Sequence, residues 1–299
     1  MALIECVPNV SEGRRTHVID ALVGTIEAAG GVHLLDRSSD PTHNRSVFTL
    51  VGEAPALRRG VVALVEAALR EIDLRVHRGA HPRLGAVDVV PFIPLEGATM
   101  AACVTLARDT GAEVAQRFGL PVFLYEEAAS TPARRNLADV RRGEFEGLAG
   151  KMADPIWAPD YGPPFPHPTG GATVIGARPP LIAFNVNLAS NRMDIAKAIA
   201  VSIRESSGGL RCVKAMGVAL EPRGIVQVSM NLTNFDQTPI SRAFEAVRHE
   251  AELRGTTVLE SEIIGLVPQA ALPEDPERSL RLSGFSQDQV LEYRLRQVR

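Results

Sequence analysis

Residues 153–171 read ADPIWAPDYGPPFPHPTGG, with six prolines and three glycines. Proline lacks the N–H that a helix or a sheet ladder needs, so this stretch is neither a helix nor a central strand. It divides the chain. Trp157, Tyr161 and Phe165 make it too aromatic for a bare tether, because rings held in water forgo the burial that stabilises them. The segment is therefore expected to pack as an ordered piece.

Working outward, the two flanks repeat one order of elements. Downstream, strand signals at 173–188, 212–220, 224–233 and 256–265 alternate with helical periods at 193–206 and 239–253. That order is βαββαβ, the ferredoxin-like pattern. Upstream, a strand over 3–10 leads to a helix over 15–29, with Ser11 as its cap and Val18, Ile19, Leu22, Val23 and Ile26 at helical spacing. VHLLD (32–36) and RSVFTLVGE (45–53) read as strands, 55–72 as a helix and AVDVVPFIPL (86–95) as a strand. Helices over 98–118 and 132–148 flank the strand PVFLYEE (121–127), and a short peripheral helix is expected at 285–298. The prediction is an α/β protein of α+β type in two subdomains, residues 1–171 and 172–299, each a β-sheet with helices in βαββαβ order.

Composition narrows the function. With 299 residues, 45% hydrophobic and 22% charged, there is apolar material for two cores. A formal charge of -3 leaves no basic excess for a wide nucleic-acid footprint or a polybasic membrane contact, so any anion site must be local. Cys6, Cys103 and Cys212 are far apart and without CxxC spacing, which argues against a disulfide framework or a cysteine metal site. The start MALIECVPNV lacks a signal-peptide pattern and no long apolar run occurs, so a cytoplasmic location is expected. Phosphate-loop, GxGxxG, HEXXH and GxSxG patterns are all missing. His77 and His81 are four apart, but Gly79 and Pro82 argue against the helix that would aim both at one metal.

Three polar clusters remain. The segment 77–88, His77, Arg78, Gly79, Ala80, His81, Pro82, Arg83, Leu84, Gly85, Ala86, Val87 and Asp88, leads into an apolar strand; its two histidines and two arginines read either as a loop presenting a titratable group to a cleft or as a solvated basic loop. Asp40, His43, Asn44 and Arg45 read as a polar turn with Asx hydrogen bonds. Asn185 and Asn187, two apart, share one face of a strand. They mark either a polar pocket or an edge strand facing water.

ECVPNVSEG (5–13), HNR (43–45), RGAHPRLGAVDVVPFIP (78–94), PVFLYEEAA (121–129), WAPDYGP (157–163), GATVIGARPPLIAFNVNL (171–188) and IIGLVP (263–268), in that order, resemble glutamate formimidoyltransferase. The resemblance covers about residues 2–270. It implies two α/β subdomains, a homodimer, and tetrahydrofolate as co-substrate in a cleft, with no metal. The implied reaction moves the formimino group of N-formimino-L-glutamate to N5 of tetrahydrofolate in histidine degradation. It also implies a stand-alone transferase, with the cyclodeaminase that animals carry on the same chain as a separate partner.

By the same resemblance His81 is the general base, and its neutral-range titration suits proton removal from N5. Gly79 and Gly85 would let the loop approach the pterin. Arg45, Arg83 and Arg178 are expected to anchor the carboxylates, with Asn44, Asn185 and Asn187 as further substrate contacts. The folate stretch corresponds to Gly162, Pro163, Pro164, Phe165, Pro166, His167, Pro168, Thr169, Gly170 and Gly171. Two competing functions remain: a cycloligase-like enzyme of 5-formyltetrahydrofolate, separable by ATP dependence, and a non-catalytic folate-binding protein.

Overall fold

The computed structural model describes residues 2–298 and divides into two compact units between Arg178 and Pro179. In the first unit the strand expected over 3–10 is two short ones, β1 (Ile4–Cys6) and β2 (Asn9–Val10), because Pro8 has no N–H for the ladder. Then come α1 (Thr16–Ala28), β3 (Val32–Asp40), β4 (Arg45–Gly52), α2 (Ala54–Glu71), β5 (Val87–Pro94), α3 (Met100–Phe118) and β6 (Val122–Glu126). Helix α1 buries the five predicted apolar residues. Its cap differs from expectation. The Ser11 hydroxyl donates to the Gly85 carbonyl at 2.8 Å and no side chain caps the helix; the Glu12 carboxylate accepts the N–H groups of Arg14 and Arg15 just ahead of it, each at 2.9 Å. Strand β3 also runs past VHLLD to Asp40, since its polar second half pairs with β4 and no apolar alternation marks it.

The helix expected over 132–148 is broken into α4 (Leu137–Arg141) and α5 (Glu144–Met152) by Gly143 at φ 93°. The strand expected over 173–188 is likewise two: β7 (Thr173–Ala177) ends before Pro179 and Pro180, which cannot continue a ladder, and β8 (Ile182–Leu188) opens the second unit. Strand β7 belongs to the first sheet, parallel to both β5 and β6. The compact first unit thus extends seven residues beyond the expected boundary at Gly171.

In the first sheet β1 and β2 lie between β4 and β5, all antiparallel; β3 borders β4, and β7 and β6 extend the other side. Successive side chains point to opposite faces. Phe48, Leu50, Val90 and Phe92 pack under α1, α2 and α3, whereas Val89, Phe123 and Tyr125 meet Val140 of α4 and Leu148 and Met152 of α5.

The second unit continues with α6 (Met193–Ile203), β9 (Val213–Leu220), β10 (Ile225–Leu232), α7 (Ile240–Leu253) and β11 (Val258–Ile264). Its antiparallel order is β11-β8-β10-β9. The strands β5, β1 with β2, β4 and β3 repeat that order, so the predicted duplication is present, with α3, β6 and β7 as the first unit's addition. Phe184, Val186, Ile199, Phe244 and Val247 form the second core. Beyond α8 (Pro276–Ser279), α9 (Leu291–Gln297) is less peripheral than expected: Leu291 and Leu295 are buried, and Val267 donates to Gln289 and accepts from Leu291. Among the described residues no helix is long and apolar enough to cross a membrane.

Candidate active site

At one end of the first sheet, β2, the β3–β4 turn and the α2–β5 loop enclose a small pocket lined by Val10, Ser11, His43, Asn44, Arg45, His77, His81, Arg83 and Asp88. The turn is the expected Asx turn, and it is also a pocket wall. Oδ1 of Asp40 accepts the N–H groups of Thr42 and His43 at 2.7 and 2.9 Å, and Oδ2 accepts Nδ1 of His43 at 2.7 Å. Asn44 sits at φ 50°, a left-handed conformation that asparagine tolerates. Its Oδ1 accepts the Gly13 N–H and its Nδ2 donates to the Arg78 carbonyl, at 2.9 and 3.0 Å, so this amide ties three loops together. Gly79 allows that closure, because a Cβ there would lie 2.1 Å from the His43 carbonyl oxygen. At Gly85 a Cβ would lie 2.0 Å from the Ala172 carbonyl oxygen. The protein's own backbone therefore requires both glycines.

His77 and Arg83 are also occupied internally. Nε2 of His77 donates to the Asn44 carbonyl at 2.9 Å, which leaves Nδ1 to accept from Nε of Arg83 at 3.2 Å. Burial, with help from the Arg83 charge, lowers the His77 pKa and keeps it neutral. Arg83 forms a fork on Glu146, at 2.9 and 2.6 Å, and reaches Glu144 at 3.3 Å. Its guanidinium is spent on the protein itself, which removes the reason for expecting it to hold a substrate carboxylate.

His81 and Arg45 differ. His81 is half-buried, and burial followed by the charges of Arg45 and Arg141 pushes its pKa down to about 3, against a smaller opposing effect of Asp88. The ring is thus a neutral imidazole. Its centroid lies 6.3 Å from that of His43, edge to face. Arg45 donates one N–H to Oδ1 of Asn9, yet its buried Nε has no partner, and burial together with Arg141 lowers its pKa to about 10. Arg141, which no sequence signal marked, pairs with Asp88; its Nε is also buried without a partner. Two guanidinium Nε–H groups, on arginines whose charges act on His81, are thus buried without a partner. Buried donors of this kind call for an acceptor.

The remaining expected residues fall in two places. Gly162 to Gly171 belongs to the first unit and is ordered against it. Lys151 lies 3.8 Å over the Trp157 ring, Asp160 pairs with Arg134 at 2.7 Å, and Val122 donates to Tyr161. His167 and Gly171 exchange two backbone hydrogen bonds, and Nδ1 of His167 accepts the Gly170 N–H at 2.9 Å. The end of this segment is stitched to the loop that bears His81: Leu74 donates to Thr169, Ala86 to Gly170 and Ala172 to Leu84, at 2.9, 3.0 and 3.2 Å. Phe165 is left 62% exposed. Arg178 follows β7 in the first unit, where its N–H donates to Phe92 and its side chain reaches Tyr125. It does not begin the strand of Asn185 and Asn187.

Those asparagines lie on β8 of the second unit, an interior strand rather than an edge. Asn185 donates to Glu262 and Asn187 to Glu260, both at 3.1 Å, and Gln227 bridges Asn187 and Glu262 at 2.9 Å each. Among the described residues, no group of three or more His, Cys, Asp or Glu side chains could hold a metal ion.

Fold and pocket together define a two-unit α/β protein with a pocket lined by histidine and arginine on its first sheet. The family model of the formiminotransferase domain, N-terminal subdomain, matches residues 3–178, and that of the formiminotransferase domain matches residues 183–277. The chain belongs to the formiminotransferase family. It is 47% identical over 294 residues to the glutamate formimidoyltransferase of Streptococcus pyogenes, covering 98% of each chain. With the Thermoplasma acidophilum protein of the same name it shares 45% identity over 297 residues, 99% of this chain and 98% of that one. The formimidoyltransferase-cyclodeaminase of Mus musculus is 43% identical over 90% of this chain and 51% of its own length.

Proposed function

We propose that this protein transfers the formimino group of N-formimino-L-glutamate to N5 of tetrahydrofolate, releasing L-glutamate, in histidine degradation. The observation that carries the reading is a neutral imidazole, His81, beside two buried guanidinium groups whose Nε–H groups are unspent. His81 accepts the proton that N5 loses as its bond to the amidine carbon forms. Arg45 receives a donor carboxylate. An anion there also offsets the Arg45 charge, which acts after burial to lower the His81 pKa, so donor binding makes His81 more basic than it is in the free protein. Arg83, His77 and Asn44 hold the loops in place.

Folate fits the same body of the protein. The 162–171 segment, stitched to the His81 loop, offers Phe165 as an exposed ring for stacking. Purified protein given both substrates should release glutamate without ATP. ATP-dependent turnover of 5-formyltetrahydrofolate, with no formimino transfer, would overturn the proposal.

A further inference from the structure

The pocket holds a second imidazole that the proposed reaction leaves idle, and a role for it rests on that reaction. Formimino transfer needs two proton movements. One proton leaves the attacking nitrogen, and another must reach the departing glutamate nitrogen, which is a poor leaving group as an anion. A single ring would have to serve both nitrogens in turn. His81 is half-buried between Arg45 and Arg141, an environment that disfavours a proton. The neighbouring His43 has the opposite surroundings: its side chain is 50% exposed, and Nδ1 is bonded to Asp40 at 2.7 Å. The carboxylate is itself fixed by the N–H groups of Thr42 and His43. A carboxylate on Nδ1 fixes the ring and leaves Nε2 for proton exchange. The other titratable groups of the pocket are committed, His77 to Asn44 and Arg83, and Asp88 to the Leu84 N–H and Arg141.

We infer that His43, held by Asp40, is the general acid that protonates the departing glutamate nitrogen, while His81 is the base. As the new C–N bond forms, the amidine π pair moves to the imino nitrogen and the N5 proton passes to His81. The imino nitrogen then re-forms its double bond to carbon and the bond to the glutamate nitrogen breaks. That nitrogen keeps the electron pair and takes the His43 proton. The cycle closes when His81 releases its proton and the solvent-facing His43 regains one.

Two donors test this: formiminoglutamate and its 3-fluoro analogue, whose leaving amine is less basic and needs an acid less. His43→Ala should lower kcat roughly 10²-fold with formiminoglutamate, the lower end of the range for acid–base catalysis, with little change in KM. The loss should shrink with the fluoro donor, and added imidazole should restore part of the rate. Asp40→Asn should show the same donor dependence with a smaller loss. His81→Ala should be impaired with both donors alike. His43→Gln, which retains a polar side chain of similar length, guards against a folding defect and should behave like His43→Ala. Equal losses with both donors and no imidazole rescue, or an unchanged kcat, would overturn the inference. A wild-type protein that transfers nothing would instead overturn the reaction on which it rests.

Discussion

Two histidine–arginine pairs lie side by side in the first unit, and they differ in what is left over. His77 and Arg83 use their polar atoms on one another, on Asn44 and on Glu146. His81 and Arg45 share the same pocket, yet Arg45 keeps a buried Nε without a partner, and His81 is held neutral first by burial and then by the charges of Arg45 and Arg141. The first pair is closed and the second open. An unmade buried bond costs stability until a ligand completes it, which makes the open pair the place where a ligand is expected.

The sharpest way to break this contrast is to remove each imidazole. His81→Ala should lower kcat by about 10²- to 10⁴-fold, the range for a lost general base, while thermal stability hardly moves. A near-normal kcat would sink the assignment. The arginines give the next largest effect. Losing a charged partner of a carboxylate costs about 1.5–3 kcal/mol, so Arg45→Ala should raise KM for formiminoglutamate about tenfold or more while KM for tetrahydrofolate changes little. Arg83→Ala should show no such selectivity, because its fork faces Glu146. Equal and donor-specific KM effects at both positions would erase the distinction between the pairs.

His77→Ala inverts the pattern. It strands the Asn44 carbonyl and Nε of Arg83, and each group left without its bond costs about 1–3 kcal/mol. The melting temperature should fall by several degrees, at roughly 2–4 °C per kcal/mol for a chain of this size. Differential scanning calorimetry of the two histidine variants makes the comparison directly: His77→Ala should melt early, and His81→Ala should not.

Much of this architecture was legible in the residues. Periodicity gave the βαββαβ order of both units, and the proline-rich stretch marked an ordered segment, which belongs to the first unit rather than lying between the two. Prolines also account for the displaced boundary, since Pro179 and Pro180 end β7 as firmly as any residue upstream, while the apolar run on both sides hid the break. The motif around His81 located the pocket. What it could not tell was which polar neighbours were already taken. Arg83 stands two residues from His81 in sequence, but Glu146, on the distant α5, holds it. Arg141 reaches the site from α4 through Asp88, a pairing that only tertiary structure creates. His43 looked like part of a turn and is one; its second position, beside His81, depends on the missing side chain of Gly79.

The smallest effect concerns acid stability, and its direction is set by the sign of the His81 shift. An unfolded histidine titrates near 6.5, roughly, whereas burial and then Arg45 and Arg141 push the folded group down to about 3. Between these values the unfolded chain binds a proton that the folded chain refuses, so stability rises with pH across that window. The contribution is complete above the unfolded value and is lost as pH falls toward the folded one. His81→Asn removes the titration while keeping a polar side chain. The wild type should therefore lose more stability than the variant between pH 7 and pH 4, seen as a steeper fall in the urea midpoint. The lowered carboxylates Glu12 and Glu146 and the lowered His77 are common to both proteins and cancel in the difference. Because His81 is only half-buried, water moderates the effect, which should stay below that of His77→Ala at neutral pH. Parallel curves for wild type and variant would mean that the His81 ring is freely solvated, and the contrast between an open and a closed pair would then rest on the arginines alone.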